Sequence, residues 1–295
     1  MSIATKTHSS IEPYLTQKGA LEDGVLSYPI PNPSPTLKAN SYYFSHPVWA
    51  KDYLDYCHRD EAFFSLWKAA IGSWDNKIVV DVGCGPGNLF AVLGGFPKLL
   101  IGIDVAKGGL KMARELGYIP VLADAHQLPF KSGFADIVTL SATIHHCDDM
   151  EKVLVEAARL VRPGGMLISD RDQQLTSMNF KGISLWLWKF RLLVWRIMQR
   201  GPHSNLEQQN CMLATEIHAE HPGDGVTPEL YYKTLEPMGY EVNLYPHNNN
   251  VGADVLQGDY GKAKLRWRLL QRVAGIDPNS PEAAMSLMCI ARKKT

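Results

Sequence analysis

Between residues 76 and 170, short apolar runs alternate with amphipathic stretches. The runs KIVVDV, LLIGID, IPVLAD, DIVTLSA and GGMLISD read as strands, because apolar runs of roughly four to eight residues bounded by turn residues fit strands covered on both faces. The intervening segments 87–95, 107–117 and 149–161 read as helices. Strands and helices in alternation predict a mostly parallel sheet with helices on both faces. After Asp170 the rhythm breaks, then resumes with a helix near 227–238 and the strand YEVNLYP. A second excursion over 248–280 precedes the terminal strand-like run MSLMCIARK. Upstream, Pro47 to Ile71 carries aromatic and aliphatic residues at helical spacing and predicts one or two amphipathic helices, Pro47 suiting a first turn. Before that, Pro29, Pro31, Pro33 and Pro35 favour extended backbone and predict a non-helical arm.

The pattern divides the chain into an N-terminal arm, 1–45, and a single α/β domain, 46–295, with a lid insertion at about 171–226 and a second insertion at about 248–280. A length of 295 residues suits one decorated domain. Lys plus Arg equals Asp plus Glu at 30 each, so no global field draws a phosphate backbone and nucleic acid is not expected as a partner. The cysteines Cys57, Cys84, Cys147, Cys211 and Cys289 are scattered and form no C-x-x-C pair, which fits reduced thiols. The opening MSIATKTHSSIEPY lacks a signal-peptide core, and no uncharged run reaches about 18 residues. A cytoplasmic protein is the expectation.

The most informative segment is VVDVGCGPGN, a buried strand that enters a glycine turn and then a helix. Glycines let backbone turn sharply and approach a ligand. The dinucleotide fingerprint spaces them G-x-G-x-x-G so that a pyrophosphate meets a helix N-terminus. Here Gly83, Gly85 and Gly87 follow G-x-G-x-G, and Asn88 holds the last fingerprint position. Asp81 also opposes a pyrophosphate and points to a cationic ligand; the ammonium of a methionine moiety would satisfy it. Asp104 ends the next strand, where a carboxylate can accept ribose hydroxyls, and Asp124 follows the third, within reach of an adenine amino group. Three acids at successive strand ends open onto one crevice.

These segments resemble the successive motifs of class I S-adenosylmethionine-dependent methyltransferases: VVDVGCGPGN, LIGIDVA, LADAHQLPF, FADIVTLSATIHHCDD and LVRPGGMLIS. The resemblance is close over roughly 75–170 and loose elsewhere, and its flavour is the branch with ubiquinone/menaquinone-type and natural-product enzymes. It implies a doubly wound, Rossmann-like α/β sheet of seven strands, mostly parallel, with an antiparallel final strand that 285–292 can supply. It implies S-adenosyl-L-methionine as cofactor and S-adenosyl-L-homocysteine as product. Carried over by position, it implies Asp81, Gly83, Cys84, Gly85, Gly87 and Asn88 at the methionine part, Asp104 and Val105 at the ribose, Asp124 and Ala125 at the adenine, and Ser141 beside them.

Methyl transfer from a sulfonium is an in-line displacement that asks mainly for alignment in a dry pocket. No metal is required. His145 and His146 follow the fourth strand and are the candidate catalytic bases. Asp148 and Asp149 suit the start of the next helix. No Asn/Asp-Pro-Pro-Tyr follows that strand and no set of acids suits a catechol-orienting magnesium ion, so the expected acceptor is a small molecule. In the lid insertion, Ile183, Trp186, Leu187, Phe190, Leu193, Val194, Ile197 and Met198 share one helical stripe, with Lys189, Arg191, Arg196 and Arg200 among the other positions. The leading expectation is a lid in which Trp186 and Phe190, with His218 farther on, contact substrate. The alternative is a basic, Trp-bearing helix (Trp188, Trp195) in peripheral membrane contact, which suits a quinone or lipid acceptor. Two other classes compete: a nicotinamide oxidoreductase, opposed by Asn88 and Asp81, and a non-catalytic S-adenosylmethionine binder on the same fold.

Overall fold

The computed structural model describes residues 8–198, 205–219 and 221–295, the side chains of 195 and 196 excepted. Its strands are β1 (Ala20–Glu22), β2 (Val25–Ser27), β3 (Ile78–Val82), β4 (Leu99–Asp104), β5 (Ile119–Leu122), β6 (Ala135–Ser141), β7 (Val161–Asp170), β8 (Tyr240–His247) and β9 (Ser286–Lys293). They form one sheet in the order β1-β2-β5-β4-β3-β6-β7-β9-β8. Strands β2 to β7 run parallel, whereas β9 is antiparallel to both β7 and β8. The antiparallel last strand is the one that the family resemblance implies.

Alternation within the strands divides the core into two faces, as a period of two requires. Val80, Val82, Ile101, Ile103, Val138, Leu140 and Leu167 face one helical layer, with Val153, Leu154 and Ala157 of α6 (Met150–Leu160). Val79, Ile137, Ile168, Met288 and Ile290 face the other, with Phe63, Leu66 and Trp67 of α3 (Glu61–Ile71) and Leu110 of α5 (Lys107–Leu116).

The seven-strand expectation falls short by the β1–β2 hairpin, which extends the sheet beyond β5. Its turn is Asp23-Gly24, both at positive φ, the dipeptide that a tight two-residue hairpin selects. A second correction concerns the arm. Pro35 begins α1 (Pro35–Ser45), and Pro47 begins α2 (Pro47–Tyr56). Only Pro35 of the four alternating prolines lies inside a helix, at its first position, where a missing N–H costs nothing. Ser34 caps α1: its Oγ accepts from Leu37 N–H at 3.0 Å and donates to Asp148 Oδ2 at 2.6 Å.

The insertion after β7 contributes α7 (Gly182–Ile197) and α8 (Leu206–Thr215). Then come α9 (Pro228–Leu235), strand β8 and α10 (Leu265–Val273), the last lying in the second insertion.

Ser34→Ala removes both the helix cap and the tie to Asp148. A cap of this kind is worth about 1 kcal/mol. Amide exchange across residues 35–45 should therefore quicken about fivefold while exchange in β3 and β6 stays unchanged.

Candidate functional site

The strand order reverses between β3 and β6, and a crevice opens beyond the carboxyl ends at that point, where open α/β sheets bind ligands. Its volume is about 880 Å³ including the open mouth. Asp81, Gly83, Cys84, Gly85, Asn88, Asp104, Val105, Asp124, Ala125, Ser141 and His146 all line it. The structure thus brings most of the sequence-predicted site residues together.

The loop after β3 is fixed by its neighbour strand. Gly83 N–H and Cys84 N–H both donate to Ile103 O, and Gly85 N–H donates to Asp104 Oδ2 at 2.8 Å. Gly83, Gly85 and Gly87 sit at φ of 72°, 51° and 95°, a region that disfavours side chains. A Cβ on Gly83 would run into Thr143, whereas one on Gly85 would meet no protein atom and would project into space a ligand can fill. Gly87 is absent from the crevice wall. It precedes α4 (Asn88–Leu93) and packs against Leu116 and Tyr118, so its role is to seat that helix.

Asp81 lies on the crevice floor with both oxygens already accepting hydroxyls, Oδ2 from Tyr118 at 2.7 Å and Oδ1 from Thr139 at 2.8 Å. Burial pushes its pKa up to about 6 despite those two donors. Asn88 carries a different signal. Its Nδ2 donates to Tyr53 O and Cys57 O, at 2.9 and 3.0 Å, while its buried Oδ1 has no hydrogen-bond partner. An orphaned buried acceptor is costly unless a ligand donor completes it.

Asp104 also accepts from Ala106 N–H at 2.8 Å, and burial raises its pKa. Asp124 accepts from the His126 backbone at 2.9 Å and pairs with His126 Nδ1 at 2.6 Å. Burial opposes the charge on Asp124, but the His126 hydrogen bonds more than offset it and its pKa is lowered. The Cys84 thiol is raised well above its ordinary value by burial, which makes it a filler rather than a nucleophile.

The two histidines separate. Both lie on the 3-10 turn Ile144–His146 with ring centroids 4.0 Å apart. His146 lines the crevice, and its Nδ1 donates to Thr215 O at 2.8 Å. His145 does not line it: buried, it holds Asp172 Oδ1 through Nδ1 at 2.8 Å and faces Glu216 Oε2 through Nε2 at 3.3 Å. Burial works against a charge on His145, yet the Glu216 and Asp172 carboxylates raise its pKa to about 10. Burial and that neighbouring cation push His146 down to about 4.

The structure places the lid candidates away from the crevice. Trp186 and Phe190 stack on each other at 5.3 Å but stand 62% and 46% exposed, and no residue of α7 lines the crevice. The buried face of that helix is the opposite one, where Trp188 packs on Phe180 and on Trp267 of α10. Arg200 lies outside the described residues, as do the side chains of Trp195 and Arg196. His218 is also no crevice residue: it bonds Asp224 at 2.8 Å and Cys147 O at 3.0 Å and braces the wall from behind. The cover comes instead from the N-terminal helices and the loop after them, through Leu37, Asn40, Phe44, Tyr53 and His58. Sequence reading missed these, although the aromatic spacing over 47–71 marks the helix that carries Tyr53. Glu216 and Asp172 carry no local motif, because only the fold brings them to His145.

Residues 80–169 match the family described as "Methyltransferase domain". A ubiquinone biosynthesis O-methyltransferase of Bordetella avium is 32% identical over 168 residues, covering 53% of this chain and 65% of that one. A mouse tRNA (carboxymethyluridine(34)-5-O)-methyltransferase, ALKBH8, is 34% identical over 95 residues, 31% of this chain and 14% of that one. The chain spans less than two thirds of the length of either relative. Among solved structures, the [4+2]-cyclase SpnF superposes with a TM-score of 0.52 at 14% identity over 95% of this chain and all of that one, a likeness of fold. The methyltransferase domain over residues 80–169 and the methyltransferase relatives support a class I S-adenosylmethionine-dependent methyltransferase, with S-adenosylmethionine as its cofactor.

Proposed function

We propose that this chain transfers a methyl group from S-adenosylmethionine to a small, largely apolar acceptor. The observation that supports it most is the crevice at the carboxyl ends of β3, β4 and β5, where Asp81, Asp104 and Asp124 converge with Gly85 of the glycine loop. Asn88 and Asp81 would hold the methionine end, Asp104 the ribose, and Asp124 with Ala125 the adenine. When bound, the cofactor supplies an electrophilic methyl on a positively charged sulfur. The chain aligns and excludes water: Phe44, Tyr53 and Leu89 give the crevice an apolar lining, and His146 stands on its wall. The orientation is worth more than any single charge, because the displacement spends its cationic charge as it proceeds.

A membrane-associated quinone or lipid acceptor is the second reading, and the exposed face of α7 favours it. Ile183, Trp186, Phe190 and Ile197 are open to solvent, and Leu265, Leu269 and Val273 continue the apolar surface on α10. Lys181, Lys189, Lys264, Arg266 and Arg272 are exposed around them. An apolar surface with a basic margin suits an anionic bilayer interface. Among the described residues no helix is long and apolar enough to cross a membrane. The name of the Bordetella avium relative agrees with a quinone-type acceptor.

Asp104→Ala should lower affinity for S-adenosylhomocysteine at least tenfold by calorimetry with circular dichroism unchanged, since charge-assisted hydrogen bonds are worth about 1.5–3 kcal/mol each. Equal affinity would remove the ribose contact. Asp81 gives a pH signature. Its pKa is about 6 in the free protein, and a ligand ammonium favours its ionised form. Binding should therefore be full above pH 6 and weaken by up to about tenfold per unit below it, with Asp81→Asn flattening the curve; an unchanged wild-type affinity down to pH 5 would leave Asp81 as support for the loop alone. For the membrane reading, sedimentation with phosphatidylserine vesicles should capture the protein at low salt, and Trp186→Ser with Phe190→Ser should abolish capture. Failure to sediment at low salt favours a soluble acceptor.

A further inference from the structure

We propose that the cavity between α1, α2 and α8 binds a small protonated amine with an apolar body, and that this amine is the methyl acceptor. The cavity has a volume of about 1240 Å³ including its mouth. Its wall carries five aromatic side chains, Tyr43, Phe44, Trp49, Tyr53 and Tyr56, and the carboxylate of Asp52. Among the described residues no Lys or Arg lines it. Phe44 and Tyr53 also line the cofactor crevice, so the two spaces share a border. The amine's place as acceptor rests on the methyl-transfer reading; the cation site itself does not.

Helical spacing builds the wall. Trp49, Asp52, Tyr53 and Tyr56 stand at i, i+3, i+4 and i+7 along α2 and share one face of it. Trp49 is held in place: its indole stacks on His46 at 4.1 Å and tilts against Tyr43 at 5.3 Å. The phenol oxygens of Tyr53 and Tyr43 are spent inside the protein, on His58 Nε2 at 2.9 Å and on the Gln208 side chain. What these residues offer the cavity is therefore ring. The face of an aromatic ring is negative, and several rings around one space attract a cation. Asp52 adds a full charge. It is exposed, and its carboxylate makes no hydrogen bond or ion pair among the described residues, since the adjacent Lys51 is taken by Asp55 at 2.6 Å. Glu216 also reaches the wall, but it faces His145 and His146, and the site does not draw on it. A neutral ligand would use the rings alone. A carboxylate beside them, with no lysine or arginine to answer it, selects a positive head group.

Methylation of an amine moves charge in the direction this wall favours. The bound ammonium loses a proton to water, and the nitrogen lone pair forms the N–C bond while the C–S pair returns to sulfur, which leaves as a neutral thioether. Positive charge thus passes from sulfur to nitrogen. It grows, during the step, on the side where the rings and Asp52 stand, and only interactions that strengthen toward the transition state speed a reaction. A hydroxyl acceptor ends as a neutral ether and would gain nothing from that arrangement.

The test uses the full chain and three probes on one skeleton: 2-phenylethylamine, a cation at neutral pH, 2-phenylethanol and phenylacetate. With S-adenosylhomocysteine present, calorimetry should show the amine binding about tenfold more tightly than the alcohol, and phenylacetate more weakly than either. Asp52→Asn and, separately, Tyr56→Leu should each weaken the amine about 3- to 10-fold and leave S-adenosylhomocysteine affinity unchanged. Tyr56 is 79% exposed, so its replacement spares the fold, and circular dichroism checks both variants. An amine that fails to bind, equal affinities for amine and alcohol, or an Asp52→Asn protein that binds the amine like the wild type overturns the cation site. With S-adenosylmethionine supplied, mass spectrometry should find the N-methylated amine; selective binding with no methylated product removes the amine as acceptor. S-adenosylhomocysteine binding without amine selectivity sinks the cavity proposal alone. Selective amine binding without S-adenosylhomocysteine binding leaves the cation site standing and sinks the methyl-transfer reading.

Discussion

The site depends on one carboxylate. Asp104 receives Gly85 N–H on one oxygen and Ala106 N–H on the other, so a single side chain ties the glycine loop of β3 to the turn after β4. Such bonds to a charged group are worth about 1.5–3 kcal/mol each, more than neutral ones. They hold three glycines in a left-handed path that releases α4 at Asn88. Asn88 Nδ2 then takes two carbonyls at the end of α2, Tyr53 and Cys57. The order of causes runs from a strand-end acid to a loop, from the loop to a helix start, and from the helix start to the cover over the crevice. The buried Asn88 Oδ1 is left over as a consequence, because the amide spends its donors on the protein.

That order explains which parts could be read from sequence. The strands, the glycine spacing and the acids at strand ends are local patterns with a period or a fixed offset, and Asp81, Asp104 and Asp124 reach one crevice because parallel strands end together. The hairpin was also legible, since Asp23-Gly24 is a strong turn signal, but proline alternation nearby drew the reading toward an extended arm. Pro35 is the instructive residue: it forbids helix only upstream of itself, and Ser34 before it is a good cap. Asp172 and Glu216 had no such signal. They come from separate segments, and only the closure of the insertion onto the β6 turn brings them to His145.

The helix α7 misled for a physical reason. A broad apolar stripe on a helix near an active site reads as a lid because burial is the usual fate of such a stripe. Here the helix is anchored by its minority side, through Trp188 on Phe180 and Trp267, and the stripe faces out. Apolar surface of that extent left open signals a further contact rather than a packing error. The crevice needs no second cover, since α1 and α2 already supply one.

The adjacent histidines stand where the sheet meets the insertion, against Thr215 and Glu216. A general base must present a free lone pair to the acceptor, and His145 has none, because carboxylates face both of its nitrogens. Its neighbour has one, but Glu216 faces it too. Both histidines are therefore held against Glu216. Glu216 belongs to the insertion, whereas the histidines belong to the sheet. The setting of the histidine pair is thus a property of how the insertion docks on the fold, which no local stretch of the chain encodes, whereas Asp81, Asp104 and Asp124 sit at strand ends that local patterns mark.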